Sequence, residues 1–200
     1  MKPYNPMMIQ SPSQTVGPYF AQGLLRKGDN VFTNVLVTEK TEGERIRIEG
    51  RVTDGDGQPI EDAMIEIWQA NSHGRYNHPS DEQDKPLDPA FMGHGRAATD
   101  TGGNYWFETI KPGSVSGADG TQQAPHINVI VFARGMLSHA FTRIYFEDET
   151  ANQNDSVLMS IDDEVRRNTL IAGRESKDGK VIYRFDIHIQ GENETAFFDA

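Results

Sequence analysis

No cysteine occurs anywhere in the 200 residues, so the chain has neither a disulfide framework nor a thiolate metal site. Basic residues are scarce: 19 Lys and Arg stand against 30 Asp and Glu, a net charge of −11. That balance argues against nucleic acid or an anionic membrane as a partner, since both need a basic footprint. An anionic small molecule is still admissible, but only beside a local arginine. No stretch of 18 apolar residues exists, so no helix can span a bilayer. The beginning, Met1 to Ile9, lacks the apolar segment of a secretory signal. These absences lead to the expectation of a soluble, cytoplasmic protein. His-Glu-x-x-His, Gly-x-Ser-x-Gly, a phosphate loop and internal repeats are also missing, which leaves serine hydrolysis and nucleotide binding without support.

What is present is mostly strand. The length suits one domain, or one domain with an arm. Residues 1–30 are rich in Pro, Ser and Gly and sustain no helical or strand period, which reads either as a disordered N-terminus or as an extended arm docked on another surface, ahead of a domain over 31–200. Gly17-Pro18-Tyr19-Phe20 stiffens that arm and gives it apolar area to bury. Val31–Val37 is a weak strand candidate. Arg45–Val52, Met64–Ala70, Tyr105–Ile110, Phe141–Phe146 and Val181–Gln190 alternate or are rich in β-branched residues, as strands do. Asp54-Gly-Asp-Gly57 and Asp178-Gly179 are hairpin-type turn signals. Residues 71–96 form a long polar loop, of the kind that is either functional or disordered. Ser160 followed by two acids predicts one helix running to Ala172, with Gly173 beyond its end. Together these elements predict an all-β fold, an antiparallel β-sandwich with one short helix.

The chain turns on Gln123-Ala-Pro-His-Ile-Asn-Val-Ile-Val-Phe-Ala-Arg134. Ile127, Val129, Val131 and Ala133 make a wholly apolar core face. His126, Asn128, Ile130, Phe132 and Arg134 share the other face, which reads as a pocket wall. A His-x-His there would be a two-ligand metal arm; this chain has His-x-Asn. Arg134 ends that face and suits bidentate carboxylate binding, with a surface ion pair as its other reading. Arg96 is similar but less well placed. Tyr76, in the long loop, could bind ferric iron as a phenolate or simply pack.

Several stretches carry a family resemblance: Ile65-Glu-Ile-Trp-Gln-Ala-Asn-Ser-His-Gly-Arg-Tyr76, Asp88-Pro-Ala-Phe-Met-Gly-His-Gly-Arg96, Thr109-Ile-Lys-Pro-Gly113 and Ala124-Pro-His-Ile127. They resemble the intradiol ring-cleaving dioxygenases, nearly end to end. Ser13-Gln-Thr-Val-Gly-Pro-Tyr19 and the segment from Arg184 to Asp199 resemble the alpha chain of the family's two-chain members. The resemblance implies a β-sandwich paired with a homologous beta chain, in alpha–beta pairs assembled into a larger oligomer. It implies that the beta chain holds non-haem Fe(III) through two tyrosines and two histidines. It further implies intradiol cleavage of protocatechuate with O2, giving 3-carboxy-cis,cis-muconate in aromatic catabolism.

Carried across by position, Tyr76 and His126 match one ligand of each kind. The second histidine falls at Asn128 and the second tyrosine near Val115. The arginine just before the histidine pair in the iron-binding chain falls at Gln123. Tyr76, Val115, His126 and Asn128 are therefore expected to be vestigial ligand positions, with no metal and no catalytic residue in this chain alone. Thr15, Gly17, Pro18 and Tyr19 of the arm, with Arg134, match the segments that the alpha chain lends to the substrate pocket around its partner's iron. Two other readings compete: a self-sufficient intradiol enzyme with altered ligands, and a non-enzymatic binding module of transthyretin-like shape.

Overall fold

The computed structural model describes residues 14–17, 19–24, 33–117 and 120–199. In chain order the elements are α1 (Phe20–Leu24), β1 (Arg45–Thr53), β2 (Met64–Trp68), β3 (His94–Ala98), β4 (Asn104–Ile110), β5 (Val115–Ser116), β6 (Gln122–Gln123), β7 (His126–Phe132) and β8 (Ala140–Phe146). A 3₁₀ turn (Thr150–Asn154), α2 (Ser156–Met159), α3 (Glu164–Asn168), β9 (Ile171–Lys177), β10 (Lys180–Arg184) and β11 (Ile187–His188) follow. Nine strands join in the order β11-β1-β10-β9-β8-β7-β2-β3, with β4 on the far side of β1.

The sheet folds over at the β8–β9 contact, where Tyr145 and Phe146 meet Ile171 and Ala172. One layer is then β4, β1, β10 and β9, and the other is β8, β7, β2 and β3. Ile46, Ile48, Phe107 and Tyr183 from the first layer share one core with Ile65, Ile67, Ile127, Val129 and Ile144 from the second. This is the expected β-sandwich. The apolar face of β7 is buried as its alternation requires.

Several local expectations change. Three of the pairings (β1–β10, β1–β11 and β8–β9) are parallel, so the sandwich is mixed rather than purely antiparallel. Of the helix expected from Ser160 to Ala172 only α3 forms, α2 ends just before Ser160, and each of the two is capped by an aspartate. Asp155 accepts from the Val157 and Leu158 N–H groups, and Asp163 from those of Val165 and Arg166. Beyond α3 the apolar pair Ile171-Ala172 is strand, because it completes the β8–β9 seam. Among residues 33–37 only Val35 bridges to β4, so Val31–Val37 contains no strand there. The arm is not extended throughout, since α1 lies within it.

The two turn signals have different outcomes. Asp178 (φ 52) and Gly179 (φ 75) both sit in the left-handed region and close the β9–β10 hairpin. Asp54–Gly57 is a turn as well, with Gly57 N donating to Asp54 O, but β1 and β2 do not pair. The chain instead crosses from one layer to the other there. Val181–Gln190 divides into β10 and β11, which keep one register along β1. Between them Arg51 N donates to the Asp186 carboxylate, and Tyr105 Oη donates to Phe185 O.

Candidate functional site

The positions expected to be vestigial ligands gather at one end of the β8–β7–β2 layer. Trp68, Asn128 and Arg143 are direct cross-strand neighbours on β2, β7 and β8, and His126 faces Tyr145. Tyr76 returns from the loop after β2 and stacks on Trp68, with ring centroids 5.8 Å apart and planes 11° from parallel. Val115, buried, pairs with Gln123 in the small β5–β6 hairpin. An open concavity of about 540 Å³ lies over this region, lined by Trp68, Tyr76, His78, Asp81, Gln83 and Ser116 among others.

Each group's chemistry follows from its partners. His126 is 3% exposed and its Nδ1 lies 2.8 Å from Ala124 O. A carbonyl only accepts, so Nδ1 carries the proton and Nε2 is the acceptor. Burial, together with the nearby Arg143 charge, lowers its pKa to about 4, so the ring is neutral at pH 7. Burial pushes the Tyr76 phenol above its ordinary value, opposed by the Asn128 hydrogen bond and the Arg143 charge. Arg143 Nη1 donates to Gln123 Oε1 (3.2 Å) and Tyr145 Oη (3.3 Å). Tyr145 in turn donates to the buried Asp155 carboxylate, which also caps α2. The β7–β8 register brings Arg143 and Tyr145 here, and no sequence motif marked either one.

These residues do not fit a ferric ion. Asn128 Nδ2 donates to Trp68 O at 3.3 Å and to Tyr76 Oη at 3.2 Å. The amide therefore presents hydrogens, not a lone pair, to the phenol oxygen that a metal would need. Val115 has no donor atom. Two candidate ligands remain, one of them a phenol held protonated by burial.

Arg134 belongs to a different place. It follows β7 at the turn made by Gly135 (φ 85). His126 and Arg134 are thus separated by roughly 25 Å of extended chain. Its Nε donates to the Asp62 carboxylate, and the side chain is 54% exposed. Arg96, the other arginine singled out, is engaged with Glu66 on β2 and donates to Leu24 O at the end of α1. That bond ties the arm to the outer face of β3. Thr15, Gly17 and Tyr19 are exposed, Tyr19 at 73%, while Pro18 lies outside the described residues.

Comparison with known proteins agrees with this architecture. A family described as dioxygenase matches residues 15–191, so the chain belongs to the dioxygenase family. The chain is 43% identical over 201 residues to the protocatechuate 3,4-dioxygenase alpha chain of Pseudomonas putida, covering 96% of this chain and 98% of that one. Against the protocatechuate 3,4-dioxygenase beta chain of Burkholderia cepacia it is 32% identical over 200 residues, covering 97% and 85%. Among solved structures, the dioxygenase domain of a carbohydrate-binding fusion from Streptomyces sp. SirexAA-E superposes with a TM-score of 0.63 at 25% identity, covering 92% and 98%. Intradiol dioxygenases depend in general on non-haem iron.

Proposed function

We propose that this chain is the alpha subunit of a cytoplasmic, heteromeric protocatechuate 3,4-dioxygenase, and that its homologous beta chain holds the Fe(III). In this reading residues 1–30 are an arm that docks on the partner, and residues 31–200 are the sandwich. The chain completes the substrate pocket around the partner's iron for intradiol cleavage of protocatechuate to 3-carboxy-cis,cis-muconate. The observation that carries this reading is the separation of two functions along β7. The vestigial ligand positions lie at one end, spoiled by Asn128 and Val115, and the carboxylate-binding candidate Arg134 lies at the other, exposed. An arginine so far from its own chain's Tyr76 and His126 serves a substrate held elsewhere.

The work assigned to this chain is binding and orientation. Arg134 would pair with the substrate carboxylate, giving an otherwise acidic protein a local positive end for a benzoate. Thr15, Gly17, Pro18 and Tyr19 would wall the pocket. The self-sufficient reading is disfavoured by the donor set. The binding-module reading is disfavoured by the exposed arm and by likeness over whole chains to both subunit types. The test is Arg134→Ala in the assembled alpha–beta enzyme. A loss of roughly 10- to 100-fold in kcat/KM for protocatechuate is expected for a lost charge-assisted bidentate contact. An unchanged kcat/KM refutes the role of Arg134.

A further inference from the structure

Arg134 does not stand alone in its turn. Met64 on β2 pairs with Phe132 on β7, so the next positions on the same face, just past the ladder, are Asp62 and Arg134. The sheet register itself therefore sets the carboxylate opposite the guanidinium. The two partners are unequally held. Asp62 is the more sheltered, with 28% of its side chain exposed against 54% for Arg134. Its successor Ala63 is fully buried, and Ala63 N donates to Thr99 Oγ1 at 2.9 Å. The backbone beneath Asp62 is thus fixed, while Arg134 sits in a glycine turn with a long, flexible side chain.

Only Nε of Arg134 contacts Asp62. Among the described residues Nη1 and Nη2 meet no acceptor. Those two nitrogens form the end of the guanidinium fork, the edge that can grip a carboxylate with two parallel bonds. One carboxylate can hold the flank of this cation while a second occupies its end, without competing for the same hydrogens. An exposed ion pair adds little stability by itself. What it changes is the rotamer distribution of an arginine that otherwise samples many states.

We infer that Asp62 is a positioning residue for Arg134, holding the guanidinium with its two-nitrogen edge turned outward for the carboxylate of an aromatic acid. Asp62 thereby contributes to the preference for carboxylated over uncarboxylated catechols without touching the substrate. The inference rests on the reading of Arg134 proposed above.

The test compares Asp62→Ala, Asp62→Asn, Arg134→Ala and the Asp62→Ala/Arg134→Ala pair in the assembled alpha–beta enzyme, with protocatechuate and with catechol, which has no carboxylate. Asp62→Ala is expected to raise KM for protocatechuate roughly tenfold, because the arginine regains its rotamer freedom. Its kcat should be unchanged, and KM for catechol should not move. Asp62→Asn keeps an oxygen acceptor for Nε and should fall between wild type and Asp62→Ala. In the double variant the Asp62 change should add nothing to Arg134→Ala. If Arg134→Ala raises KM but Asp62→Ala does not, or lowers it, Asp62 has no positioning role and the Arg134 reading stands. If Asp62→Ala raises KM for both substrates alike, its role is structural and the inference is overturned. If Arg134→Ala itself has no effect, the proposed function of the arginine fails first, and this inference with it.

Discussion

At position 128 an amide stands where the family resemblance leads one to expect a histidine ligand, and the structure shows what the amide does. Asn128 hydrogen-bonds the Trp68 carbonyl and the Tyr76 phenol, so it knits the loop after β2 to the β2–β7 pair. The neighbouring His126 has become a buried neutral imidazole. That has a consequence for acid stability. Its folded pKa, about 4, lies below the ordinary value of 6.5, so the unfolded chain binds the proton first as pH falls. The stability contributed by neutral His126 is complete above pH 6.5 and is lost progressively down to about pH 4. The total is about 3 kcal/mol for a gap of this size. Urea denaturation of His126→Gln between pH 7 and 4 should therefore show a flatter profile than wild type; parallel profiles contradict the assignment. The two-residue spacing of His126 and Asn128 was legible in the sequence because a strand's alternation is local. Arg143, Tyr145 and Asp62 were not, since each joins its site through cross-strand register, and Asp155 was not, since it reaches Tyr145 from the loop before α2; no local pattern encodes either.

Among the elements, β1 shows most clearly where sequence reading works and where it stops. Its alternation puts Ile46, Ile48, Gly50 and Val52 inside, as expected. Its parallel partners β10 and β11 come from the far end of the chain, and alternation says nothing about a partner's direction. Gly50 is the contact point. A Cβ there would lie 1.8 Å from Phe185 O, the carbonyl that accepts from Tyr105 Oη between β10 and β11. Gly50→Ala must push β1 away from that carbonyl, and about 3 kcal/mol of destabilisation is expected in chemical denaturation. A loss under about 0.5 kcal/mol, the scale of an ordinary surface change, would show that the close approach is dispensable. The helical stretch misled for a related reason. Ser160 with two following acids looks like a helix start, yet Asp155 and Asp163 are the caps, and Ile171–Lys177 is taken as strand by the β8 seam. Tertiary pairing outweighed a local capping signal.

On the scale of the whole molecule, the arrangement makes sense only with a second chain. The sandwich carries the expected ligand positions at one end of β7, and at the other Arg134, whose two-nitrogen edge meets no acceptor among the described residues. Leu24 at the end of α1 is held to Arg96 of β3 by its carbonyl, and Tyr19 is exposed. Overall architecture was legible early, because period-two alternation and turn residues repeat along the chain. Asn128 and Val115 at the positions the resemblance gives to ligands were also legible, since they are visible as letters. The physical reason, an amide turned nitrogen-first toward the phenol, required the fold. The most direct test of the central claim is iron content, read with the visible absorption of phenolate-bound Fe(III), for this chain purified alone and after assembly with its beta chain. The single chain is expected to be colourless and without bound iron, and the assembled pairs to carry one iron per pair with the visible band. A single chain that holds stoichiometric iron, shows the band and consumes O2 with protocatechuate would contradict it.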